Sequence, residues 1–255
     1  MRTKVLAVLS ICATLTFCAS SQAKIQRNRE KDPNYQYNLG LFYLNQNNVD
    51  EAVKYFVKAQ SLDIRFYLAL NGLGLAHSMK GRLDESVKAY QKCLEINPRF
   101  TEARNNLGTV YQEMNLLDKA EGEFKAALLD VGYQNRELPY FNLARLYVLQ
   151  NRLDEGFENV QKSIQIKPRL AMAHHLLGVI LEKRNSLDEA IASYEAAVKI
   201  VPEDVLFNYD LGVAYFKNGD YARAKVIFLK ISGKIMDAET KDTINRYLKI
   251  IKDQG

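Results

Sequence analysis

The chain has 255 residues, of which 47% are hydrophobic, and its 35 lysines and arginines exceed its 30 aspartates and glutamates, giving a formal net charge of +5. This composition is ordinary for a globular protein and allows a sizeable core. The basic residues are scattered among the acidic ones, which argues against a nucleic-acid-binding face. Three cysteines, Cys12, Cys18 and Cys93, are too few for a disulfide framework.

Residues 1–23 have the pattern of a secretory signal peptide. Arg2 and Lys4 give the start a positive charge, and an apolar run of 13 residues follows from Val5 to Phe17. That run is too short to span a bilayer as a helix, which needs about 20 residues. A basic start, a short apolar stretch and small residues afterwards are typical of an exported protein. We therefore expect the protein to reach the periplasm.

Two processing sites in this leader stay open. Ser21-Gln22-Ala23 satisfies the small-x-small rule for cleavage before Lys24. Leu15-Thr16-Phe17-Cys18 resembles a bacterial lipobox, in which the cysteine is acylated and becomes the first residue. The first site predicts a free periplasmic protein. The second predicts an outer-membrane lipoprotein, because two acyl chains already suffice for stable anchoring.

Residues 24–32 are polar and are predicted to form a loose tether. From residue 33 the sequence repeats six times, with boundaries at 33–66, 67–100, 101–134, 137–170, 171–204 and 205–238. The eighth position of every repeat is small, with successive spacings of 34, 34, 36, 34 and 34 residues. Its occupants are Gly40, Gly74, Gly108, Ala144, Gly178 and Gly212. A small residue here lets two helices pack closely.

Other positions recur in the same register and indicate two helices in each repeat. Position 20 is mostly small, and position 24 is mostly aromatic: Phe56, Tyr90, Phe124, Val160, Tyr194 and Phe228. Between the two helices stand residues that tolerate a left-handed helix cap: Asn47, Gly81, Asn115, Asn151, Asn185 and Gly219. Position 18 carries an aspartate that suits the start of the second helix in five repeats: Asp50, Asp84, Asp118, Asp154 and Asp188.

This pattern resembles the tetratricopeptide repeat (TPR) over residues 33–238. The resemblance implies an all-α fold, an α-solenoid of six helix-turn-helix repeats. After the last repeat, Ile244, Tyr247, Leu248 and Ile251 follow i, i+3, i+4, i+7 spacing, which predicts an amphipathic helix. We expect residues 239–255 to form the capping helix that a repeat array requires.

The chain carries no recognisable catalytic or metal-binding pattern. Gly72-Leu73-Gly74 lacks a third glycine and lies within a predicted helix, which excludes a dinucleotide loop. His77 and His174 occupy positions where the repeat has packing residues, and no His/Glu pair has helical metal spacing. Cys93 occupies a small-residue packing position. We predict a protein that is not an enzyme, with no cofactor, no metal and no small-molecule substrate, and with another protein as its partner.

In the family that the pattern resembles, the first helices line a concave face, and positions two, five, nine and twelve point inward. Carried over to this sequence, the resemblance implies a protein-binding groove lined by Tyr37, Leu41, Asn71, Leu75, Asn105, Phe141, Arg145, Val148, His175, Val179, Tyr209, Val213 and Phe216. An exposed apolar stripe usually marks a binding site; the alternative is that neighbouring repeats cover these side chains. Family members that clamp a C-terminal carboxylate pair Lys at position five with Asn at position nine, which no repeat here does. The expected ligand is therefore an apolar or amphipathic segment.

An exported chain with six repeats and little else resembles the type IV pilus pilotin family (PilF/PilW), outer-membrane lipoproteins that help the secretin pore to localise and assemble. The register break between repeats three and four falls within residues 130–143, where the family has a similar Tyr…Glu…Asn-Leu passage. The resemblance implies an assembly factor whose partner is a secretin subunit or pilus component. Two alternatives stay open: a periplasmic TPR scaffold for envelope or peptidoglycan machinery, and a regulatory TPR partner of a separate enzyme such as a glycosyltransferase.

Overall fold

The computed structural model describes residue 24 and residues 26–254. The predicted signal peptide, with Cys12, Cys18 and the cleavage site after Ala23, lies outside the described residues. Over residues 33–254 the regular elements are α1 (Pro33–Asn45), α2 (Val49–Leu62), α3 (Tyr67–Met79), α4 (Leu83–Ile96), α5 (Thr101–Glu113), α6 (Leu117–Leu128), α7 (Glu137–Leu149), α8 (Leu153–Ile166), α9 (Ala171–Lys183), α10 (Leu187–Ile200), α11 (Val205–Lys217), α12 (Tyr221–Ser232) and α13 (Ala238–Gln254). The all-α fold predicted from the repeats is confirmed.

The helices follow the repeat register. Each odd-numbered helix from α1 to α11 is the first helix of a repeat and begins at residue 33, 67, 101, 137, 171 or 205, the first residue of that repeat. Within repeats the two helices pack together, as α1 does with α2 and α9 with α10. The described chain forms two compact halves, an N-terminal half that ends at Ala120 and a C-terminal half that begins at Glu121.

The turn between the two helices of each repeat uses a left-handed residue, as predicted. Asn47, Asn115, Asn151 and Asn185 have φ between 57° and 61°, while Gly81 and Gly219 have φ of 68° and 77°. This backbone conformation is strained for most side chains and is tolerated by glycine and asparagine. The two helices of every repeat are therefore joined by the same short turn.

In repeats one, two, five and six, the core contains a glycine packed against an aromatic ring. A Cβ atom on Gly178 would lie 2.6 Å from the ring of Tyr194, and one on Gly40 would lie 2.4 Å from the ring of Phe56. Tyr194 and Phe56 are almost completely buried. In repeat four both positions change together, to Ala144 and Val160. The smaller valine leaves room for the methyl group of the alanine.

Both ends of the repeat array carry a further helical segment. Residues 26–30, which were predicted as part of a loose tether, are instead helical and exposed. The segment and the residues next to it are rich in lysine, arginine and glutamate, which favour helices. In addition, the Gln36 side-chain amide donates a hydrogen bond of 2.9 Å to the Glu30 carbonyl. At the other end, α13 buries Ile244 and Ile251. None of the described helices combines the length and the hydropathy that a membrane-spanning segment needs.

Candidate functional site

In the N-terminal half, position five lies closer to the core than the sequence suggested. The Tyr37 ring is half-buried, with its centroid 5.7 Å from those of Phe56 and Phe66. Asn71 and Asn105, also predicted for the groove, are only 5% and 6% exposed. In repeat one, position five therefore packs partly against position 24, and in repeats two and three it is buried rather than pointing into solvent.

Asn71 joins neighbouring first helices. Its side-chain amide donates to a Glu102 carboxylate oxygen at 3.4 Å, and the Asn106 amide donates to the Asn71 side-chain oxygen at 3.4 Å. These contacts connect α3 to α5 and satisfy a buried amide that would otherwise be costly. Of the residues predicted for the groove in this half, Leu75 is exposed, and Leu41 is half-buried.

Phe141, predicted to line the groove, instead lies in the core of the C-terminal half. It is 8% exposed and belongs to a buried cluster that includes Ala144, Val160, Leu176 and Ile180. The physical reason is the small Val160 at position 24, which leaves space that the Phe141 ring fills. Two further predicted groove residues, Arg145 and Val148, are half-buried nearby on the same helix.

The end of the predicted groove is covered by the capping helix. The Phe216 ring lies 4.6 Å from Tyr247 of α13 and 5.3 Å from Tyr221, measured between centroids. Val213, one turn earlier on α11, is half-buried and packs against the same core. Neighbouring elements therefore cover part of these side chains, which is the alternative to an exposed binding stripe.

His175 forms a contact between two first helices. Its Nε2 atom lies 2.6 Å from an Asp210 carboxylate oxygen, and its ring stacks on Phe207 with centroids 4.8 Å apart. The His175 side chain is 15% exposed. This histidine therefore links α9 to α11 and presents little surface to a ligand.

Neighbouring residues of α11 line two surface depressions on the C-terminal half, with Tyr209 in one and Asp210 in the other. The first, which we call the apolar groove, has a volume of about 430 Å³ and is lined by Val205, Leu206, Tyr209, Lys234, Ile235, Met236, Asp237 and Thr240. Leu206 is 57% and Met236 97% exposed. Burial raises the pKa of Tyr209, so its hydroxyl stays protonated and can donate a hydrogen bond.

The second depression is polar. It measures about 400 Å³ and is lined by Val179, Glu182, Lys183, Tyr194 and Asp210. The Tyr194 hydroxyl donates to Glu182 at 3.0 Å, and Lys217 forms an ion pair with the same carboxylate. Since Glu182 and Asp210 already have partners within the protein, this depression offers weaker interactions to a ligand than the apolar groove.

Sequence reasoning found part of this site. Of the residues predicted for a groove, Tyr209 lines the apolar groove, whereas Val179 lines the polar depression. Leu206 occupies position two of its repeat, a position that the register also directs inward. Ile235 and Met236 lie between α12 and α13, at positions 31 and 32 of repeat six, and no periodic apolar pattern marks them. The groove can hold an apolar side chain.

The described residues contain no cluster of three or more histidine, cysteine, aspartate or glutamate side chains placed to hold a metal ion. The Cys93 thiol is buried, and this burial raises its pKa to about 12. A thiol with so high a pKa is almost entirely protonated at neutral pH and is a poor nucleophile. The apolar groove on α11 is therefore a stronger candidate for the functional site than a metal cluster or the Cys93 thiol.

Sequence models of the tetratricopeptide repeat match residues 33–65, 67–100, 89–122 and 139–170, and a TPR repeat model matches residues 180–219. Together these matches cover more than half of the chain. No curated protein sequence matches the chain at a significant level.

Several solved structures are similar. PilF of Pseudomonas aeruginosa has a TM-score of 0.76 at 17% identity, over 86% of this chain and 99% of that one. PilW, a widely conserved type IV pilus biogenesis factor, has a TM-score of 0.74 at 18% identity, over 83% and 97% of the two chains. YrrB, a TPR protein with an unusual peptide-binding site, has a TM-score of 0.53 at 21% identity, over 73% and 94%.

At these identities the likeness concerns the fold, whereas the repeat models identify the sequence family. The helix boundaries, the left-handed turns and the glycine–aromatic pairs all agree with that identification. The chain belongs to the tetratricopeptide-repeat family.

Proposed function

We propose that this protein is an exported adaptor that assists assembly of the type IV pilus secretin by binding a secretin subunit or another pilus component. The fold similarity to PilF and PilW, which extends over almost the whole of both proteins, supports this assignment. The signal-like leader supports export. A TPR scaffold acts by binding other proteins, so the argument depends on a surface suited to that role.

The observation that carries the proposal is the apolar groove. Leu206 and Met236 are large apolar side chains that remain exposed beside the half-buried Tyr209. Covering such surface is favourable by about 25 cal/mol per Å². Lys234 and Asp237 at the rim supply polar contacts to orient the ligand. The expected ligand is a segment that inserts one large apolar side chain between α11 and the start of α13.

The groove can be tested with a double variant, Leu206→Ala with Tyr209→Ala. Because tyrosine and large apolar anchors commonly dominate interface energies, we expect affinity for the purified secretin subunit to fall about tenfold or more. Biolayer interferometry with the full-length protein measures this, and circular dichroism checks that helicity is retained.

Met172→Ala is the matched control for this test. Met172 occupies position two of repeat five, as Leu206 does in repeat six, and it is 50% exposed but does not line the groove. This control variant should bind the subunit normally. A double variant that keeps both its fold and its affinity would exclude the groove as the binding site. Failure of the wild-type protein to bind any secretin or pilus component would exclude the pilus function.

Anchoring through Cys18 is a separate prediction. If Cys18 is acylated, Cys18→Ala should move the protein from the membrane fraction to the soluble periplasm. Mass spectrometry of the mature protein provides the decisive measurement. A first residue of Lys24 would rule out the lipoprotein.

A further inference from the structure

The second helix of repeat six differs from the other five second helices in charge. The segment α12 contains three basic and no acidic residues, a net charge of +3. The corresponding helices α2, α4, α6, α8 and α10 contain both signs and have net charges between 0 and −2. The earlier repeats therefore serve as internal references for what the fold itself requires.

The outward residues of α12 differ as well. Positions 18, 22 and 25 are exposed in every repeat. Earlier repeats place an aspartate at position 18 and mainly polar or charged residues at the other two, for example Asp154, Glu158 and Gln161 in repeat four. Repeat six instead carries Ala222, Val226 and Leu229.

These three residues form one stripe along the helix. Their i, i+4, i+7 spacing places them on one face, opposite the buried Ala224, Phe228 and Ile231. Val226 is 67% and Leu229 55% exposed. We call this stripe the outer face of α12.

A shallow groove runs beside the outer face of α12. Its volume is about 300 Å³, and it is lined by Tyr215, Ala222, Arg223, Val226 and Ile227. The Arg223 guanidinium lies 4.3 Å from the centre of the Tyr215 ring and forms ion pairs with Asp220 and Glu195, which hold it in place.

Cations flank the stripe on both sides. Within the part of the chain that the structure describes, Lys225 forms no ion pair. On the other side, the Lys230 ammonium donates to the Pro202 carbonyl at 2.6 Å and lies 3.7 Å from Glu203. The outer face of α12 is therefore apolar along its centre, with the charge of Lys225, unpaired among the described residues, on one edge and Lys230, paired with Glu203, on the other.

We propose that the outer face of α12 is a second docking surface, which binds an acidic amphipathic helix of a partner protein. The apolar side of that helix packs on Ala222, Val226 and Leu229 and places one side chain in the groove beside Tyr215. Its carboxylates pair with Lys225 at the edge. A ridge of side chains at i, i+4, i+7 is the surface that another helix packs against. This surface is distinct from the apolar groove of α11, and the inference does not depend on the pilus function.

Charge argues against a second copy of the chain as the occupant. Two such faces brought together would oppose lysines with lysines, because α12 contains no acidic residue. The composition of the stripe also argues against a lipid surface. It exposes only two large aliphatic side chains, Val226 and Leu229, and no aromatic one, which is a much smaller apolar face than interfacial membrane helices bury.

The test uses the full chain and a fluorescein-labelled helical peptide of about five turns, with leucine on one face and glutamate elsewhere. Fluorescence anisotropy should show binding that weakens as salt rises from about 0.05 M to 0.5 M, since screening shortens the range of charge attraction. The same peptide with lysine in place of glutamate should bind about tenfold more weakly or worse.

The decisive variant is Val226→Glu with Leu229→Gln, which gives repeat six the residues of repeat four at positions 22 and 25. Both sites are exposed, so the fold is expected to persist, and binding of the glutamate peptide should fall about tenfold or more. Lys88→Glu, at position 22 of repeat two, and Tyr209→Ala, in the groove of α11, should leave that binding unchanged.

Three outcomes would overturn the proposal. One is that the glutamate peptide fails to bind the wild-type chain, or binds the wild-type chain and the double variant equally. Another is that the wild-type protein, and not the double variant, sediments with phosphatidylglycerol vesicles, which would make the face a lipid-binding surface. The third is a dimer in sedimentation equilibrium that the double variant loses, which would make it a contact between copies.

Discussion

Phe141→Ala is expected to lower the free energy of unfolding by about 3–4 kcal/mol, the usual cost of removing a buried phenylalanine ring. The ring is 8% exposed and fills the space beside Val160 in repeat four. No aromatic residue at position 24 is present there to close the cavity. Urea denaturation followed by circular dichroism measures the change, and the slope of the transition should stay the same.

Leu206→Ala is the control for this prediction. Leu206 is also a large apolar residue on a first helix in the same half, but it is 57% exposed. Its truncation should change the free energy of unfolding by no more than about 0.5 kcal/mol. If Phe141→Ala also proved nearly neutral, the Phe141 ring would have to lie on the surface, as the sequence register alone suggested.

Position five shows where sequence reasoning was limited. A repeat register gives the direction of a side chain from the helix axis, but burial also depends on the size of its neighbours. Tyr37 is half-buried beside Phe56, whereas the shorter Asn71 at the same position of repeat two is only 5% exposed. Phe141 moves inward because Val160 is small. This dependence is a tertiary effect, which the position number does not contain.

The fold itself was well determined by the sequence. The sequence meets several local requirements, and each recurs in register. These are glycine or asparagine in each turn, helices that are free of proline over most of their length, and small residues where helices approach closely. The elements outside that register were harder to predict. The helical segment at 26–30 lacks an apolar pattern, and the connection that carries Met236 lies between two helices, where the repeats share no apolar pattern. Half of the apolar groove is built from that connection.

Gly178→Ala is expected to destabilise the protein by about 2 kcal/mol, although alanine favours a helix over glycine by about 1 kcal/mol. The added methyl carbon would lie 2.6 Å from two ring atoms of Tyr194, well inside van der Waals contact. The ring is nearly completely buried, and its hydroxyl is bonded to Glu182, so it has little freedom to move. Overpacking of this kind costs about 1–3 kcal/mol, which exceeds the gain in helix propensity.

Gly122→Ala should have the opposite sign. Gly122 lies within α6, and, apart from its chain neighbours and the backbone of its own helix, no atom lies within 4 Å of the position that its Cβ would occupy. Without a steric cost, the change should stabilise the protein by about 0.5–1 kcal/mol. The pair of substitutions therefore separates helix propensity from packing, because only their surroundings differ.

Repeat four supplies the last test, since it already combines Ala144 with Val160 at the same two positions. Tyr194→Val alone should destabilise by leaving a cavity, but with Gly178→Ala the methyl group occupies part of that space. The two losses of stability should therefore not add. The free energy of unfolding lost in the double variant should be about 1–2 kcal/mol smaller than the sum of the losses in the two single variants. Strict additivity would mean that Tyr194 moves aside freely, and that the covariation of the two positions in repeat four has a cause other than packing.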